Sequence, residues 1–570
     1  MPDHLPPFLI FYAVALLALP TRGILRTLLL LSAPVLGTYS VWATPEGSYG
    51  VVQVLQFELT LHRVDRLATL FGYLFNLAAF TAFIYALHVR DRVEQTASIL
   101  YAGSALGAVY AGDLVTLFLF WEMLALTSVF LVWARRTDRA YRAGMRYLII
   151  QILSGLLLLA GIIGHAASGH SIAFEHIGLE GVASWLILLA FGIKCAFPFM
   201  HNWLTDAYPE ATPSGAVFLA AFTTKLAVYA LARTFPGTEL LVYVGVTMAV
   251  FPIFFAVIEN DLRRVLAYSL INQLGFMVVG IGIGTALSIN GSVAHAFSHV
   301  MYKGLLFMTM GAVLYRTGRI NGSELGGLYK TMPKTTVLCI IGAASISAFP
   351  LFSGFVSKSM VMSAALSNDF QVIWLLLLFS AAGVFHHAGI KIPYFAFFAH
   401  DSGIRTREAP TNMLIAMSLA AATCITIGVF PDFLYRLLPY DTDYTAYDAT
   451  HVLAQTQLLF FSALAFVWLN LRGIYPPELP STNLDVDWLY RRLAPAAIAR
   501  GAALVARADS ALRESSRLLL IRVAQVVNRH HGPGGLLART WSTGTAVFWV
   551  VAILAVYLLL FAIGDGFTPG

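Results

Sequence analysis

Long apolar stretches follow one another along the chain, separated by short polar connections. A run of about 18 to 25 apolar residues is long enough to cross a bilayer as a helix. Such runs lie near residues 7–20, 24–43, 64–88, 97–112, 113–134, 146–168, 183–200, 214–234, 239–257, 264–285, 293–315, 335–365 (interrupted), 371–397, 411–433, 452–471 and 544–564. The pattern predicts an all-α polytopic membrane protein with roughly 14 to 16 transmembrane helices.

The composition supports this fold class and narrows the chemistry. Hydrophobic residues make up 58% of the sequence and charged residues only 12%, whereas a soluble domain has about 25% charged residues. The sequence contains no P-loop, no dinucleotide fingerprint and no cysteine spacing for an iron–sulfur cluster, and its three cysteines lie singly inside apolar runs. We therefore expect no cofactor, no metal site, and no redox or ATP chemistry by this chain itself.

Lysine and arginine residues gather in alternate connections, as expected for cytoplasmic loops. The basic connections are 21–26, 88–92, 134–146, 259–264, 315–319, 400–408 and the long segment 472–543, and the basic-poor connections include 43–50, 165–180 and 440–448. This distribution predicts a multi-pass protein of the bacterial inner membrane with both termini on the periplasmic side. The formal net charge of +6 is then a signal of topology and not of nucleic-acid binding.

Five ionisable residues lie inside the apolar runs. Glu122 is the ninth residue of the stretch 114–133, and Lys194, Lys225, Lys303 and Lys358 occupy comparable positions further along the chain. An ionisable residue at the centre of a spanning helix costs about 2.5 to 3.5 kcal/mol, so five together cost on the order of 15 kcal/mol. The sequence therefore predicts a path for protons or ions through the membrane.

One predicted helix carries a stack of titratable groups. His295, His299 and Lys303 are spaced i, i+4 and i+8, which places them on one helix face. Imidazole titrates near neutral pH and both accepts and passes a proton, so the stack indicates a relay. Two alternatives stay open at this point: histidines that only pack in the core, and a zinc site at the histidine pair, for which no third ligand is evident nearby.

Two apolar runs share an unusual proline break. Ala196-Phe197-Pro198-Phe199 follows Lys194, and Ala348-Phe349-Pro350-Leu351 precedes Lys358, so the prolines are 350 − 198 = 152 residues apart. An odd number of predicted spans separates the breaks, so the second copy is expected to be inverted. Broken helices in inverted repeats are typical of transporters, because backbone groups freed at a break are satisfied only in a polar, protein-lined cavity. The alternative is a pair of ordinary proline kinks.

Residues 100 to 400 resemble a known family. The segments that carry the resemblance are 120–124 (FWEML), 192–231, 261–276, 294–307 and 349–360. They are similar to the proton-conducting antiporter-like subunits of respiratory complex I and to the corresponding D and A subunits of the Mrp cation/proton antiporters. The sequence departs from the usual pattern at Thr205, where proline is common, and at Arg263, where lysine is common.

The resemblance implies a fold of two inverted five-helix repeats and a set of relay residues. Carried over position by position, the relay consists of Glu122, Lys194, Lys225, His295, His299, Lys303 and Lys358. In the family the carboxylate of the first motif pairs with the lysine of the second, which here means Glu122 with Lys194. We expect this pair to act as a switch, in which Lys194 leaves Glu122 when a proton or a neighbouring lysine competes.

The C-terminal part carries a basic amphipathic segment. Residues 496–527 keep apolar residues at helical intervals between arginines, and the glycines of 530–535 end the pattern before a last apolar run. Complex I and Mrp relatives have a lateral helix at this place, so we expect it to lie along the membrane surface or a neighbouring subunit over about 50 Å. The alternative is a solvated linker.

The expected organisation has five regions. They are N-terminal transmembrane helices in 1–96, the antiporter-like core with two inverted repeats in 97–400, further transmembrane helices in 401–472, the cytoplasmic lateral segment in 473–543 and a final transmembrane helix in 544–570. Lys391 lies near an apolar segment, and its expected role is either part of the relay or a side chain that reaches the cytoplasmic surface.

These features predict an ion-translocating subunit rather than an enzyme. The leading hypothesis is a subunit of a multisubunit Mrp-type antiporter that exchanges protons for Na⁺ or another monovalent cation, with other membrane subunits and the lipid bilayer as partners. The alternatives are the distal pumping subunit of a complex I-like oxidoreductase or membrane hydrogenase, and the membrane subunit of an inorganic-carbon uptake complex. The same relay serves all three, so the partner subunits distinguish them.

Overall fold

The computed structural model describes residues 5–55, 57–480 and 483–565. The chain divides into two compact units, Met1–Asn483 and Leu484–Gly570. Twelve helices of the described residues are long and apolar enough to cross a membrane, and three shorter apolar helices accompany them. Each predicted apolar run coincides with a helix or a broken helix. The all-α polytopic fold class is therefore confirmed.

The helices of the first unit follow the chain in order. They are α1 Pro7–Ala18, α2 Gly23–Ala43, α3 Arg66–Tyr85, α4 Arg92–Tyr110, α5 Leu114–Trp133, α6 Asp138–Ala167, α7 Gly181–Lys194, α8 Asn202–Ala207, α9 Pro213–Ala221, α10 Thr223–Thr234, α11 Leu240–Ile258, α12 Leu262–Ile283, α13 Ala286–Thr317, α14 Pro333–Ile346, α15 Ser353–Ser367, α16 Gln371–Val384, α17 Lys391–Pro393, α18 Thr411–Val429, α19 Asp432–Tyr435 and α20 Ala449–Leu471. Short 3-10 turns cover Ala86–His88, Gly322–Glu324 and Leu328–Lys330.

A β-hairpin that the sequence reasoning missed follows α2. Strands β1, Gly47–Val54, and β2, Phe57–Val64, pair antiparallel, with Gly47 opposite Val64 and Val54 opposite Phe57. The segment 43–50 reads as a connection because β1 is mostly exposed and lacks the apolar alternation of a half-buried strand.

The helices α5 and α12 begin in the same way. Asp113 caps α5 and forms an isolated antiparallel bridge with Ala173, while Asp261 caps α12 and forms the equivalent bridge with Asn321. The offsets are 261 − 113 = 148 and 321 − 173 = 148 residues. A repeated cap together with a repeated bridge indicates an internal structural repeat.

The two proline breaks share one backbone conformation. After α7 the φ angles of Ala196 and Phe199 are 62° and 67°, and after α14 those of Ala348 and Leu351 are 59° and 73°. Non-glycine residues rarely adopt this left-handed region. In both breaks the amide of the phenylalanine before proline donates to the carbonyl five residues earlier, at 2.9 Å and 3.0 Å. Two unrelated kinks would not reproduce this arrangement, although the inversion of one copy relative to the other stays a prediction.

Two further irregularities lie near the relay candidates. Helices α9 and α10 are separated at Phe222, and α16 continues through wide π-helical turns at Phe385–Ile390 and Tyr394–Phe398. π-Helical turns are rare in proteins as a whole. Those that occur inside α-helices are frequently found at functional sites.

The second unit contains the predicted amphipathic helix and the last apolar helix. A π-helical turn, Leu489–Leu493, leads into α21, Ala494–His531, and α22 spans Thr543–Asp565. With 38 residues, α21 is longer than the predicted segment and extends about 57 Å. None of its residues is buried. Its position along a neighbour or the membrane surface stays a prediction.

Candidate functional site

Lys194 connects α7 to α5 at the residue before Glu122. Its fully buried Nζ donates a 2.6 Å hydrogen bond to the carbonyl of Trp121 and lies 4.6 Å from the centre of the indole ring. Glu122 is half-buried, and its Oε1 has no hydrogen-bond partner among the residues that the structure describes. In this conformation the ammonium bonds to the carbonyl beside Glu122 and not to the carboxylate, although each charge acts on the other.

Small and polar residues of α6 surround the Glu122 carboxylate. Gly155 leaves it room, since a Cβ at that position would be 1.5 Å from Oε1. One turn earlier, Gln151 is fully buried, and its amide oxygen and nitrogen have no partner within the described part of the chain. Ser154 accepts from Trp121 Nε1 at 3.0 Å and donates to a carbonyl of α7 at 2.7 Å. Gln151 is therefore an uncommitted hydrogen-bonding group one helical turn from the glycine that faces Glu122.

Lys225 is held by the break between α9 and α10. Its fully buried Nζ donates to the Ala220 carbonyl at 2.7 Å and to the Thr224 hydroxyl at 3.1 Å. An unbroken helix would engage that carbonyl with the amide four residues later, so the break at Phe222 makes it available to the lysine. The sequence predicted the lysine but not the break that positions it.

His299 and Lys303 lie one turn apart in the middle of α13, both fully buried. Neither ring nitrogen of His299 nor Nζ of Lys303 has a hydrogen-bond partner among the described residues. The charges of Lys225 and Lys303 both act on His299. Buried polar atoms without partners are uncommon in proteins, so this cluster is a candidate for groups whose partners change during function.

His295 is the partnered member of the stack. Its Nδ1 lies 3.1 Å from the Ser357 hydroxyl on α15, and its Nε2 lies 3.4 Å from the Tyr302 hydroxyl. That hydroxyl donates to Gln273 Oε1 on α12 at 3.0 Å. The rings of His295 and His299 have centres 6.3 Å apart. The predicted stacked face is therefore present, and a polar network extends from it to two further helices.

Lys358 forms a hydrogen bond at the second proline break. Its Nζ donates to the carbonyl of Ile346, the last residue of α14, at 3.2 Å and lies 5.1 Å from the centre of the Phe276 ring. Its charge acts on His295 and His299. The lysine therefore lies at the end of the histidine stack.

Lys391 does not reach the surface, so that alternative is wrong. Its side chain is fully buried, and Nζ forms a 2.8 Å ion pair with Oε1 of Glu478, which is 5% exposed. The same ammonium donates to the carbonyls of Ala256, Val257 and Glu259 at the end of α11, at 3.3, 2.7 and 2.7 Å.

Several polar residues of this region were not predicted as site residues. They are Gln151, Gln273, Tyr302, Ser357, His387 and Glu478. A polar side chain within an apolar run was the available signal for the first five. Glu478 had none, because it lies in an extended segment after α20 and its burial depends entirely on tertiary contacts.

A helical membrane bundle with paired helix breaks, a series of buried lysine and histidine side chains and a half-buried glutamate is built like an ion-translocating subunit. Residues 111–386 match the family described as NADH:quinone oxidoreductase/Mrp antiporter, TM. The matched part of the chain is therefore similar to the antiporter-like membrane subunits of this family. The match contains all the predicted relay residues except Lys391.

Curated relatives are antiporter subunits of bacteria. The A subunit of the Na⁺/H⁺ antiporter of Alkalihalophilus pseudofirmus is 29% identical over 425 residues, which cover 65% of this chain and 52% of the relative. The A1 subunit of the Na⁺/H⁺ antiporter of Staphylococcus aureus is 28% identical over 431 residues, covering 67% and 53%. The A/B subunit of a probable K⁺/H⁺ antiporter of Rhizobium meliloti is 29% identical over 403 residues, covering 65% and 40%. The chain thus spans about half the length of the curated relatives it matches, or less.

Solved structures share the fold. A chain of the Mrp complex from Dietzia sp. has a TM-score of 0.65 at 20% identity, covering 81% of this chain and 95% of that one. A chain of the membrane-bound sulfane sulfur reductase, an archaeal respiratory membrane complex, has a TM-score of 0.71 at 21% identity, covering 97% and 99%.

Proposed function

We propose that this chain is a proton-translocating subunit of a multisubunit Mrp-type antiporter that exchanges protons for Na⁺ or another monovalent cation. It is part of a transporter rather than an enzyme, works beside other membrane subunits, and lies in the bacterial inner membrane with both termini on the periplasmic side. The observation that carries the proposal is the series of buried lysine and histidine side chains from Lys194 to Lys358, together with the half-buried Glu122, which lies within the family match and includes lysines beside both proline breaks.

The arrangement supports stepwise proton movement. Lys194 bonds to the carbonyl of the residue before Glu122, and the proposed switch exchanges that acceptor for the carboxylate. An ion pair inside a low-dielectric bundle is strong when formed and costly to separate, so this exchange is a switch that needs compensation from another charge. Lys225 and the unpartnered atoms of His299 and Lys303 supply groups that gain or lose a proton in response.

The experiment is a transport assay on the assembled complex in everted membrane vesicles. Addition of Na⁺ or K⁺ collapses a preformed pH gradient if cations exchange for protons. We expect Lys194→Ala to abolish this response and Glu122→Gln to impair it, since each leaves the other charge without its counterpart. Lys330→Ala is the matched control, because Lys330 is an exposed lysine paired with Asp401 outside the series. Normal exchange in both variants, at normal protein levels, would refute the proposal.

Partner identity separates this function from the alternatives. Purification of the intact complex followed by mass spectrometry should recover small antiporter subunits. Quinone-reductase or hydrogenase subunits would instead indicate a redox-driven pump, and a large zinc protein would indicate inorganic-carbon uptake.

A further inference from the structure

A buried lysine–carboxylate ion pair lies outside the family match. Lys391 follows the first π-helical turn of the α16 continuation, and Glu478 lies in the segment between α20 and the second unit. Their side chains are 0% and 5% exposed, and Nζ and Oε1 are 2.8 Å apart. A pair this deeply buried is costly to desolvate and contributes little net stability compared with apolar side chains in its place. Stability alone therefore does not explain its presence.

His387 lies one helical turn before Lys391. It is fully buried, and neither ring nitrogen has a hydrogen bond of normal geometry among the described residues. The charges of Lys303 and Lys391 both act on the His387 ring. His387 lies within the first π-helical turn, and the two turns flank Lys391; such turns move side chains away from the positions that an α-helix would give them.

Backbone carbonyls fix the position of the Lys391 ammonium. The Lys391 ammonium is already bonded to three carbonyls at the C-terminal end of α11, where the helix dipole is negative. These carbonyls hold the lysine in place when Glu478 loses its charge. Glu478 is placed by the neighbouring Tyr475, whose ring packs on Phe466 with centres 5.0 Å apart and on His386 with centres 5.3 Å apart.

We propose that Lys391 and Glu478 form a proton-exchange pair that ends the relay near the C terminus of α11, with His387 connecting them to Lys303. The proposal rests on the proposed function and adds a terminal branch to it. In the exchange step a Lys391 N–H bond breaks and a Glu478 O–H bond forms, leaving a neutral amine and a neutral acid. The acid then releases its proton to water, and the amine is protonated again through His387.

Glu478 is suited to take up a proton. Burial raises the pKa of its carboxyl, the Lys391 ammonium lowers it by less, and the neighbouring Glu259 carboxylate raises it further. The titratable groups that face the pair are Glu259, His386, His387 and Tyr475. Because the net shift is upward, Glu478 protonates at a higher pH than an exposed glutamate. Transport by the wild type should therefore change at a higher pH than the titration of an exposed glutamate would give.

The test uses the full chain in its assembled complex and measures cation-driven proton movement against pH. Glu478→Gln should lower transport by about a hundredfold or more and remove the pH-dependent limb assigned to this carboxyl. Glu478→Asp retains a carboxyl, so it should recover part of the rate and keep a limb at a shifted pH. Glu324→Gln is the matched control, because Glu324 is exposed and lies outside the pair.

Lys194→Ala separates this inference from the proposed function. If Lys194→Ala is inactive while Glu478→Gln keeps both the wild-type rate and pH profile, the terminal pair is refuted and the relay stands. If Glu478→Gln does not assemble, His387→Gln decides the matter: loss of transport in an assembled complex supports the branch, and a wild-type rate overturns it.

Discussion

Replacement of Gly155 by alanine should displace the Glu122 carboxylate without unfolding the bundle. The added Cβ would lie 1.5 Å from Oε1 and 2.4 Å from Cδ of Glu122. An ordinary contact begins near 3.4 Å, so the carboxylate must move by 3.4 − 1.5 = 1.9 Å. The obstructing atoms are the end of a flexible side chain, so the helix backbone needs no adjustment at this contact.

The expected effect on function is large, while the effect on stability is small. Misplacement of a reacting group by about 1 Å is enough to reduce a rate about 10²-fold. Alanine in a helix interior is favoured over glycine by about 1 kcal/mol, which offsets part of the cost of moving the side chain. We therefore expect Gly155→Ala to assemble normally and to lose proton-coupled transport by about 10-fold to 100-fold.

A glycine-to-alanine substitution in α13 serves as the control for Gly155→Ala. Gly304 is adjacent to Lys303, and a Cβ there would meet nothing within 4 Å. Gly304→Ala should therefore leave transport and assembly unchanged. The measurement is the cation-driven pH response in everted vesicles, with complex levels quantified in the same membranes. Wild-type transport by Gly155→Ala would show that the position of the Glu122 carboxylate is not critical, and the switch described above would be wrong.

Three further outcomes are expected. His299→Ala combined with Lys303→Ala should abolish transport in an assembled complex, because both unpartnered groups of the stack are lost; normal exchange would exclude α13 as the path. Deletion of residues 496–527 should weaken complex assembly, measured by native gels, while α1 to α20 remain folded; an assembled, active deletion would reduce α21 to a linker. Cysteine labelling of the N-terminal segment at Leu5 should occur from the periplasmic side, and labelling only from the cytoplasm would reverse the predicted topology.

The sequence predicted the site residues best where a charged residue, which is costly to place in a membrane, occurs in an apolar run. A buried lysine in an apolar run is rare enough to be noticed singly, and Lys194, Lys225, Lys303 and Lys358 all prove to be fully buried. The proline breaks were also visible, because proline prevents the regular hydrogen bond at a known place.

Other features depend on contacts that a local pattern does not contain. The break at Phe222 occurs in an apolar stretch without proline or glycine, so nothing in the local sequence marks it. Glu478 lies 87 residues after Lys391 (478 − 391 = 87), in a polar segment typical of a surface loop. Its partner is set by the packing of Tyr475 on distant aromatic rings, and single-chain periodicity carries no information about that packing.

The lysines of the bundle differ in how their ammonium groups are satisfied, and that difference suggests where the barrier to charge movement lies. Lys225, Lys358 and Lys391 each bond to backbone carbonyls at a helix break or helix end, where acceptors are free of intrahelical hydrogen bonds. Such carbonyls help to stabilise a positive charge, and at Lys225 and Lys358 they do so without an ion pair to a carboxylate among the described residues. Lys303 lies within the continuous helix α13 and has no such acceptor among the described residues. A positive charge on Lys303 therefore has fewer stabilising acceptors than one on any other lysine of the series. Proton movement past Lys303 should depend on the protonation of Lys225 on one side and of His387 or Lys358 on the other.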